Sequence, residues 1–147
     1  MEKPVYTISS YDNGLLHFFE SVGEGSTTKK VIAFSPSNEN KMIYRLVFGD
    51  LSPDGNIDVF SSSSNSDMKM ILTTVIKAVT TFFEYHTDKV ISFTGSTPAR
   101  TRLYRAVITK FIDDPELSYE IYGFTPEDVI ELFEKNKHYI GYLIRKK

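Results

Sequence analysis

The chain has 147 residues, of which 41% are hydrophobic and 24% are charged, and its formal net charge is -2. This length and composition predict one globular domain spanning 1–147. The small net charge excludes bulk attraction to nucleic acid or to an anionic membrane, so any such contact needs a local patch. The absence of cysteine excludes disulfides, a thiol nucleophile and cysteine-based metal sites.

The N-terminal part of the chain predicts an antiparallel meander of four strands. The turn sequence Tyr11-Asp12-Asn13-Gly14 precedes the first strand, and Ser52-Pro53-Asp54-Gly55-Asn56 separates the last two. In the second turn, proline presets its backbone angle and glycine accepts the left-handed conformation. From these turns and from the apolar pattern of the segments, the strands are predicted over 15–22, 29–35, 42–51 and 57–60.

A long amphipathic helix is predicted from about 67 to 86. At about 100° per residue, its apolar side chains share one face and its lysines and threonines lie opposite. This amphipathic pattern predicts a core helix that lies on a sheet. The lysines argue against a membrane span. The apolar face is predicted to contain Met68, Ile71, Leu72, Val75, Ile76, Val79, Phe82 and Phe83.

The remaining sequence predicts further helices that alternate with strands. Thr97-Pro98 and Thr125-Pro126 each offer a capping threonine followed by proline, which is favoured at the first helical position. The predicted elements are a helix over 98–112, a strand over 119–122, a helix over 126–136 and a strand over 139–144. The predicted fold is therefore α+β, with a mostly antiparallel sheet and about three helices.

The candidate site lies where a predicted strand, 90–94, turns through Gly95-Ser96-Thr97 into a helix. Free backbone N–H groups and the helix dipole make such a helix start suited to an anion. Residues 95–112 also carry four basic residues and no acid, although cations are unfavourable at this end of a helix. The expected ligand is a phosphate or carboxylate group, bound by Ser96, Thr97, Arg100 and Tyr104.

Helical geometry divides the basic residues into two sets. Arg100 falls on the apolar face of the second helix, whereas Arg102 and Arg105 fall on the opposite side, about 60° apart. Arg100 is expected to clamp an anionic ligand or to form a buried ion pair with Asp50, Asp58, Glu120 or Asp128. Three basic residues are expected to be exposed and to contact a partner, nucleic acid or only solvent. They are Arg102, Arg105 and Lys110.

Other chemistry-bearing residues point to no catalytic or metal site. His17, His86 and His138 lie far apart in sequence and form no metal-binding pair, so neither a metal nor a cofactor is expected. Glu131 and Glu134, with Glu127 and Asp128, form a carboxylate cluster of the type used in acid/base catalysis. We expect these carboxylates instead on the solvated face of the helix predicted over 126–136.

The block Gly95-Ser96-Thr97-Pro98-Ala99-Arg100-Thr101-Arg102-Leu103-Tyr104-Arg105 resembles a bacterial family of about this length, a domain of unknown function. The resemblance extends over the whole chain, including the hairpin near 18–35 and the later Tyr-Glu-Ile-Tyr-Gly segment. It implies a small bacterial cytosolic protein and implies no activity.

The leading functional hypothesis is a non-enzymatic binding module for a nucleotide, RNA or an acidic protein segment. The size and class also fit half of a toxin–antitoxin or defence pair. A second hypothesis is an enzyme acting on a nucleotide or nucleic acid, in which Arg100 stabilises phosphate charge and a carboxylate from the helix predicted over 126–136 acts as the base. A third gives the arginines a purely structural role. The start of the chain, Met1-Glu2-Lys3-Pro4, leads into no apolar run, so no signal peptide is expected. The expected location is cytoplasmic, as the resemblance implies, and the amphipathic character of the long helix predicts no membrane association.

Overall fold

A computed structural model describes residues 7–23, 26–58, 68–94, 98–114, 116 and 118–147. They fall into two compact units, and neither is continuous in sequence. The first unit comprises Met1–Ser35 with Val47–Tyr85, and the second comprises Pro36–Leu46 with His86–Lys147. The prediction of a single domain stays a prediction.

The first unit is an antiparallel set of strands with one helix. The strands follow the order β1-β2-β3-β4, and β5 pairs with the end of β4. The turn between β1 and β2 places Asp12, Asn13 and Gly14 at positive φ, as the predicted turn requires. The elements are β1 (Ser9–Tyr11), β2 (Leu16–Gly23), β3 (Ser26–Pro36), β4 (Ile43–Leu51), β5 (Ile57–Asp58) and α1 (Met68–Tyr85).

Helix α1 confirms the long helix predicted from its periodicity. Phe34 of β3 packs against Phe82 of α1, with ring centroids 4.7 Å apart. Gly14 lies so close to α1 that an added Cβ would be 3.2 Å from the carbonyl oxygen of Thr81. The buried face of the helix includes Ile71, Val75, Ala78, Val79, Phe82 and Phe83.

The second unit pairs the first half of β4 with the C-terminal strands, in the order β4-β6-β9-β7-β8. Strands β4 and β6 are parallel, whereas the other pairs in this unit are antiparallel. The α+β class and the mostly antiparallel sheet are therefore confirmed. The further elements are β6 (Val90–Thr94), α2 (Pro98–Asp113), β7 (Tyr119–Phe124), β8 (Ile130–Leu132) and β9 (Gly141–Lys146).

Aromatic contacts hold α2 against one face of these strands. Tyr104 of α2 meets Phe93 of β6 edge to face, at 5.5 Å between centroids. Phe111 meets Tyr119 of β7 in the same manner at 5.0 Å. Each such pair stabilises the folded state by about 0.5–1.5 kcal/mol beyond the contribution of its buried area. These two contacts hold α2, the helix that begins at the candidate site, against β6 and β7.

The prediction of a helix over 126–136 is wrong. The described residues therefore contain two helices where about three were expected. Residues 125–129 form a tight turn instead: Asp128 N–H donates to the Thr125 carbonyl, and Thr125 N–H donates to that of Val129. The Thr125 hydroxyl accepts from Val129 N–H at 3.1 Å. Asp128 has φ of 63°, which interrupts a right-handed helix and reverses the chain into β8.

The correction changes where the apolar residues of this segment lie. The predicted helix would bury Val129, Ile130 and Leu132, but they are 52%, 53% and 62% exposed. Glu131 points to the other side of β8 and is only partly exposed. Strand β8 therefore presents apolar side chains to solvent at the end of the strand order.

Candidate functional site

Helix α2 begins at Pro98, as the threonine–proline sequence predicts. Its first turn contains no acidic residue, so nothing in that turn offsets the positive end of the helix dipole. The turn before it, residues 95–97, lies outside the described residues. The predicted ligand residues Ser96 and Thr97 are therefore not located.

Arg100 lies on the buried face of α2, as its helical angle predicts. It is 6% exposed, and Leu103 and Tyr104 beside it are each 4% exposed. A guanidinium stays protonated even when it is buried, so its surroundings must stabilise a cation. Two of the carboxylates named as possible partners bind other cations: Asp50 pairs with Lys30, and Glu120 pairs with Arg145.

Tyr104 is brought next to Arg100 by the helix. Burial raises the pKa of the Tyr104 hydroxyl to about 12, while the positive charge of Arg100 acts in the opposite direction. The hydroxyl therefore stays protonated at neutral pH and is available as a hydrogen-bond donor. A cation and a neutral donor side by side suit an anion that accepts both.

The exposed basic residues of α2 do not act as one group. Arg105 Nη2 donates to the carbonyl oxygen of Lys137 at 3.0 Å, which fastens the loop between β8 and β9 to the helix. Its charge also counteracts the burial that raises the pKa of Tyr142. Arg102 and Lys110 are both exposed. The structure therefore brings Arg100 and Tyr104 together and turns Arg105 toward a different segment.

A cleft of about 400 Å³ lies beside Arg105. It is lined by Arg105, Thr109, Phe133, Lys135 and Asn136. Lys135 already pairs with Asp113 at 2.9 Å. The cleft thus combines two basic side chains with one aromatic ring.

A second polar network, centred on Glu131, was not predicted. Both carboxylate oxygens accept from Lys137 Nζ, at 2.8 and 2.6 Å. The Tyr139 hydroxyl donates to Glu131 at 3.0 Å and accepts from Glu134 N–H. Lys137 is the main cause that lowers the pKa of the Glu131 carboxyl.

Gly123 makes this network possible because the ring of Tyr139 lies over it. A Cβ added at Gly123 would be 2.3 Å from Tyr139 Cδ1. Tyr139 itself is 1% exposed. In the sequence, a glycine between two tyrosine-rich segments indicates that an aromatic ring could pack over it. Its partner Tyr139 lies 16 residues away, and only folding brings the two together.

The first unit contains a buried cation that sequence reasoning also missed. Lys30 is 2% exposed and lies on the same face of β3 as the buried Ile32 and Phe34. Its ammonium group pairs with Asp50 and lies 5.7 Å from the centre of the Phe48 ring. A neighbouring cavity of about 530 Å³ is lined by Thr7, Ser9, Phe18, Phe19, Glu20, Lys29, Lys30 and Leu51.

Two further findings limit the chemistry. Across the described ranges, no three metal-ligating side chains lie close enough together to hold a metal ion. Neither α1 nor α2, the helices of the described chain, has the length and apolarity needed to cross a membrane.

The sequence was also compared with known proteins. Residues 2–147 match the model of one family, described as a family of unknown function. The chain belongs to DUF6934. A search of curated proteins and a search of solved structures each found no match.

Membership of DUF6934 carries no activity with it. It establishes a family of unknown function over nearly the whole chain, as the resemblance implied. The bacterial origin and the Gly-Ser-Thr block as a family signature stay predictions.

Proposed function

We propose that this chain is a binding module that holds an anionic group at the start of α2. Arg100 supplies the cation, Tyr104 supplies a neutral hydroxyl, and Ser96 and Thr97 supply further donors. The ligand carries a phosphate or carboxylate and belongs to a nucleotide, an RNA or an acidic protein segment. The observation that carries the proposal is a charged side chain, 6% exposed, in the first turn of the helix.

The electrostatics of α2 support this proposal. The backbone dipole places partial positive charge at the first turn, and Arg100 adds a full charge there. Both contributions favour an anion at the same place, and burial strengthens them because less water screens the charges. The residues from 98 to 112 include no acid that reduces this field.

Arg102, Arg105 and Lys110 belong to the proposal as contacts with the remainder of the ligand or with a partner. All three are exposed. If the ligand is a nucleic acid, its affinity falls steeply with rising salt because phosphate contacts release counterions.

In the enzyme alternative, the base is a carboxylate of the helix predicted over 126–136. That helix is not formed, and Glu131 is engaged by Lys137.

The test is thermal unfolding of the wild type, Arg100→Gln and Lys77→Gln with inorganic phosphate, nucleotides, short RNA and short DNA. Lys77→Gln is the control because Lys77 is an exposed basic residue of α1 that is not among the proposed contacts. A ligand at about 100 times its Kd stabilises the folded state by about 2.7 kcal/mol. We expect that stabilisation in the wild type and in Lys77→Gln, and its loss in Arg100→Gln.

A purely structural Arg100 gives a different result. Removing one partner of a buried ion pair costs roughly 3–5 kcal/mol, so Arg100→Gln would then be strongly destabilised without any ligand. That outcome, together with no shift in the wild type for any of the four ligand classes, would contradict the proposal.

A further inference from the structure

Strand β8 ends the strand order of the second unit and exposes large apolar side chains. Ile130 is 53% exposed and Leu132 is 62% exposed. They lie opposite Phe124 and Tyr122 of β7, respectively, so these four residues share one face of the sheet. An exposed apolar edge of this kind is a template for pairing with another strand.

The backbone of β8 has its free groups on the outer side. Phe133 N–H donates to the carbonyl of Ile121, and Thr125 N–H donates to the carbonyl of Val129. Because an antiparallel strand alternates its hydrogen-bonding direction, residues 129, 131 and 133 face β7. The N–H and C=O groups of Ile130 and Leu132 therefore point away from the sheet, where no other described strand pairs with them.

The charges around this edge select the occupant. Residues 127–134 contain four acids and no base. Glu131 is neutralised by Lys137, whereas Glu127, Asp128 and Glu134 are exposed and form no ion pair within the described part of the chain. Acidic side chains thus stand at both ends of the apolar edge.

A second copy of the chain fits this edge poorly. Two β8 strands paired antiparallel about Glu131 would place Asp128 of each copy opposite Glu134 of the other. Like charges directly opposite each other destabilise a strand pair. A strand with basic residues at its ends would instead meet opposite charges there.

We propose that β8 binds an extended peptide segment by strand addition. The segment has two apolar residues two positions apart, which pack beside Ile130 and Leu132, and a lysine or arginine at each end. Backbone hydrogen bonds to Ile130 and Leu132 supply affinity, and the flanking charges supply direction and selectivity. This surface is distinct from the start of α2, so the proposal is tested independently of the anion site.

The probe is a fluorescently labelled peptide, Lys-Thr-Val-Thr-Val-Thr-Lys, titrated with the full chain by fluorescence anisotropy. A matched peptide with glutamate in place of both lysines tests the charge requirement. We expect the basic peptide to bind at least about tenfold more tightly, because several flanking charge pairs of a few tenths to 1 kcal/mol each add to that factor. We also expect binding to slow amide hydrogen exchange at Ile130 and Leu132.

Two variants of Leu132 test the two parts of the contact. Leu132→Pro removes an N–H that points outward, so it leaves the pairing with β7 intact while it blocks strand addition. Leu132→Lys keeps that N–H but replaces the apolar side chain with a charge. We expect each variant to weaken peptide binding about tenfold or more, the value of one backbone hydrogen bond or one apolar contact.

Ile112→Lys is the control, because Ile112 is an exposed apolar residue on α2 and its change is expected to leave binding unaltered. The circular dichroism spectrum verifies that each variant is folded. Equal binding of both peptides, or full binding by Leu132→Lys, would overturn the proposal. So would a dimer of the wild type in sedimentation that Leu132→Lys dissociates, since the occupant would then be a second copy.

Discussion

His17 of β2 shows how one side chain makes folding depend on pH. The residue has no solvent exposure. Its Nε2–H donates to the carbonyl of Gly14 at 2.7 Å, which fixes the tautomer and leaves Nδ1 to accept from the Ser10 hydroxyl at 2.8 Å. Burial lowers the pKa of the imidazole, although the bond to Gly14 acts in the opposite direction. The folded state therefore holds His17 neutral.

The first prediction follows from this lowered pKa. The unfolded chain binds a proton at His17 near pH 6.5, while the folded chain does not bind it until a lower pH. The stability from this group is thus fully present above about pH 6.5 and is lost as the pH falls toward the folded pKa. We expect His17→Gln to flatten the pH dependence of the free energy of unfolding below pH 6.5, by at most about 1.4 kcal/mol per pH unit.

Urea unfolding at intervals from pH 4 to pH 8 measures this dependence. His138→Gln is the matched control, since His138 is exposed, and it is expected to keep the slope of the wild type. Identical slopes for the wild type and His17→Gln would rule out a role of His17 in acid sensitivity.

Arg100 illustrates what a single residue reveals at the sequence level. Its angle on α2 places it among apolar residues, and the residue is indeed buried. Lys30 is also buried, but its partner Asp50 lies 20 residues away on another strand. Helical periodicity predicts the burial of Arg100. Strand alternation likewise places Lys30 on the buried face of β3, but it does not identify Asp50 as the partner, because the compensating charge comes from a distant segment.

At the scale of elements, the turn at 125–129 decides between a helix and a strand. The apolar residues after it are spaced as a helical face, and Thr125-Pro126 is typical of a helix start. Proline is equally favoured in a turn, however, and Asp128 adopts a positive φ. Aspartate tolerates this conformation better than most residues, so the hairpin forms at little cost.

The second prediction concerns Asp128. A β-branched residue is strongly disfavoured at positive φ, so Asp128→Val is expected to lower the free energy of unfolding by about 1–3 kcal/mol. Asp128→Gly is expected to preserve stability or increase it, since glycine takes this conformation readily. Urea unfolding of both variants tests the prediction.

Glu127→Val is the control for Asp128→Val, because Glu127 lies in the same turn, is exposed and has no positive φ. We expect this control to remain within about 0.5 kcal/mol of the wild type, as surface substitutions usually do. A loss as large as that of Asp128→Val would mean that valine disturbs the turn by some route other than its backbone angle.

At the scale of the whole molecule, the two units are interleaved along the chain. Strand β4 contributes Ile43, Tyr44 and Arg45 to the second unit through their pairing with β6. The rest of β4, from Val47 onward, belongs to the first unit. A cut at residue 86 therefore removes a strand from the second unit.

The third prediction is that residues 86–147 do not fold alone. Without β4, strand β6 becomes an edge although Ile91 and Phe93 are fully buried in the complete chain. A fusion that joins 36–46 to 86–147 through a flexible linker of about 12 residues restores the missing strand, because such a linker spans about 20 Å. We expect dispersed amide signals in nuclear magnetic resonance spectra from the fusion only. Dispersed signals from 86–147 alone would refute the prediction.

The sequence by itself determined the elements whose cause is local. The helices α1 and α2 follow from apolar periodicity, and the turns near Gly14 and Gly55 follow from residues that accept positive φ. The α+β class follows from these elements in order. In the candidate site, local geometry also placed Arg100 on the buried face beside Tyr104.

Only the tertiary structure decided the features that join distant segments. The parallel pairing of β4 with β6 and the Lys30–Asp50 pair each join residues at least 20 positions apart. The ring of Tyr139 packs over Gly123 of β7, and its hydroxyl donates to Glu131 of β8. Periodicity records only which face of an element is apolar. Which partner meets that face is set by chain topology, because long-range contacts form only when the whole chain folds.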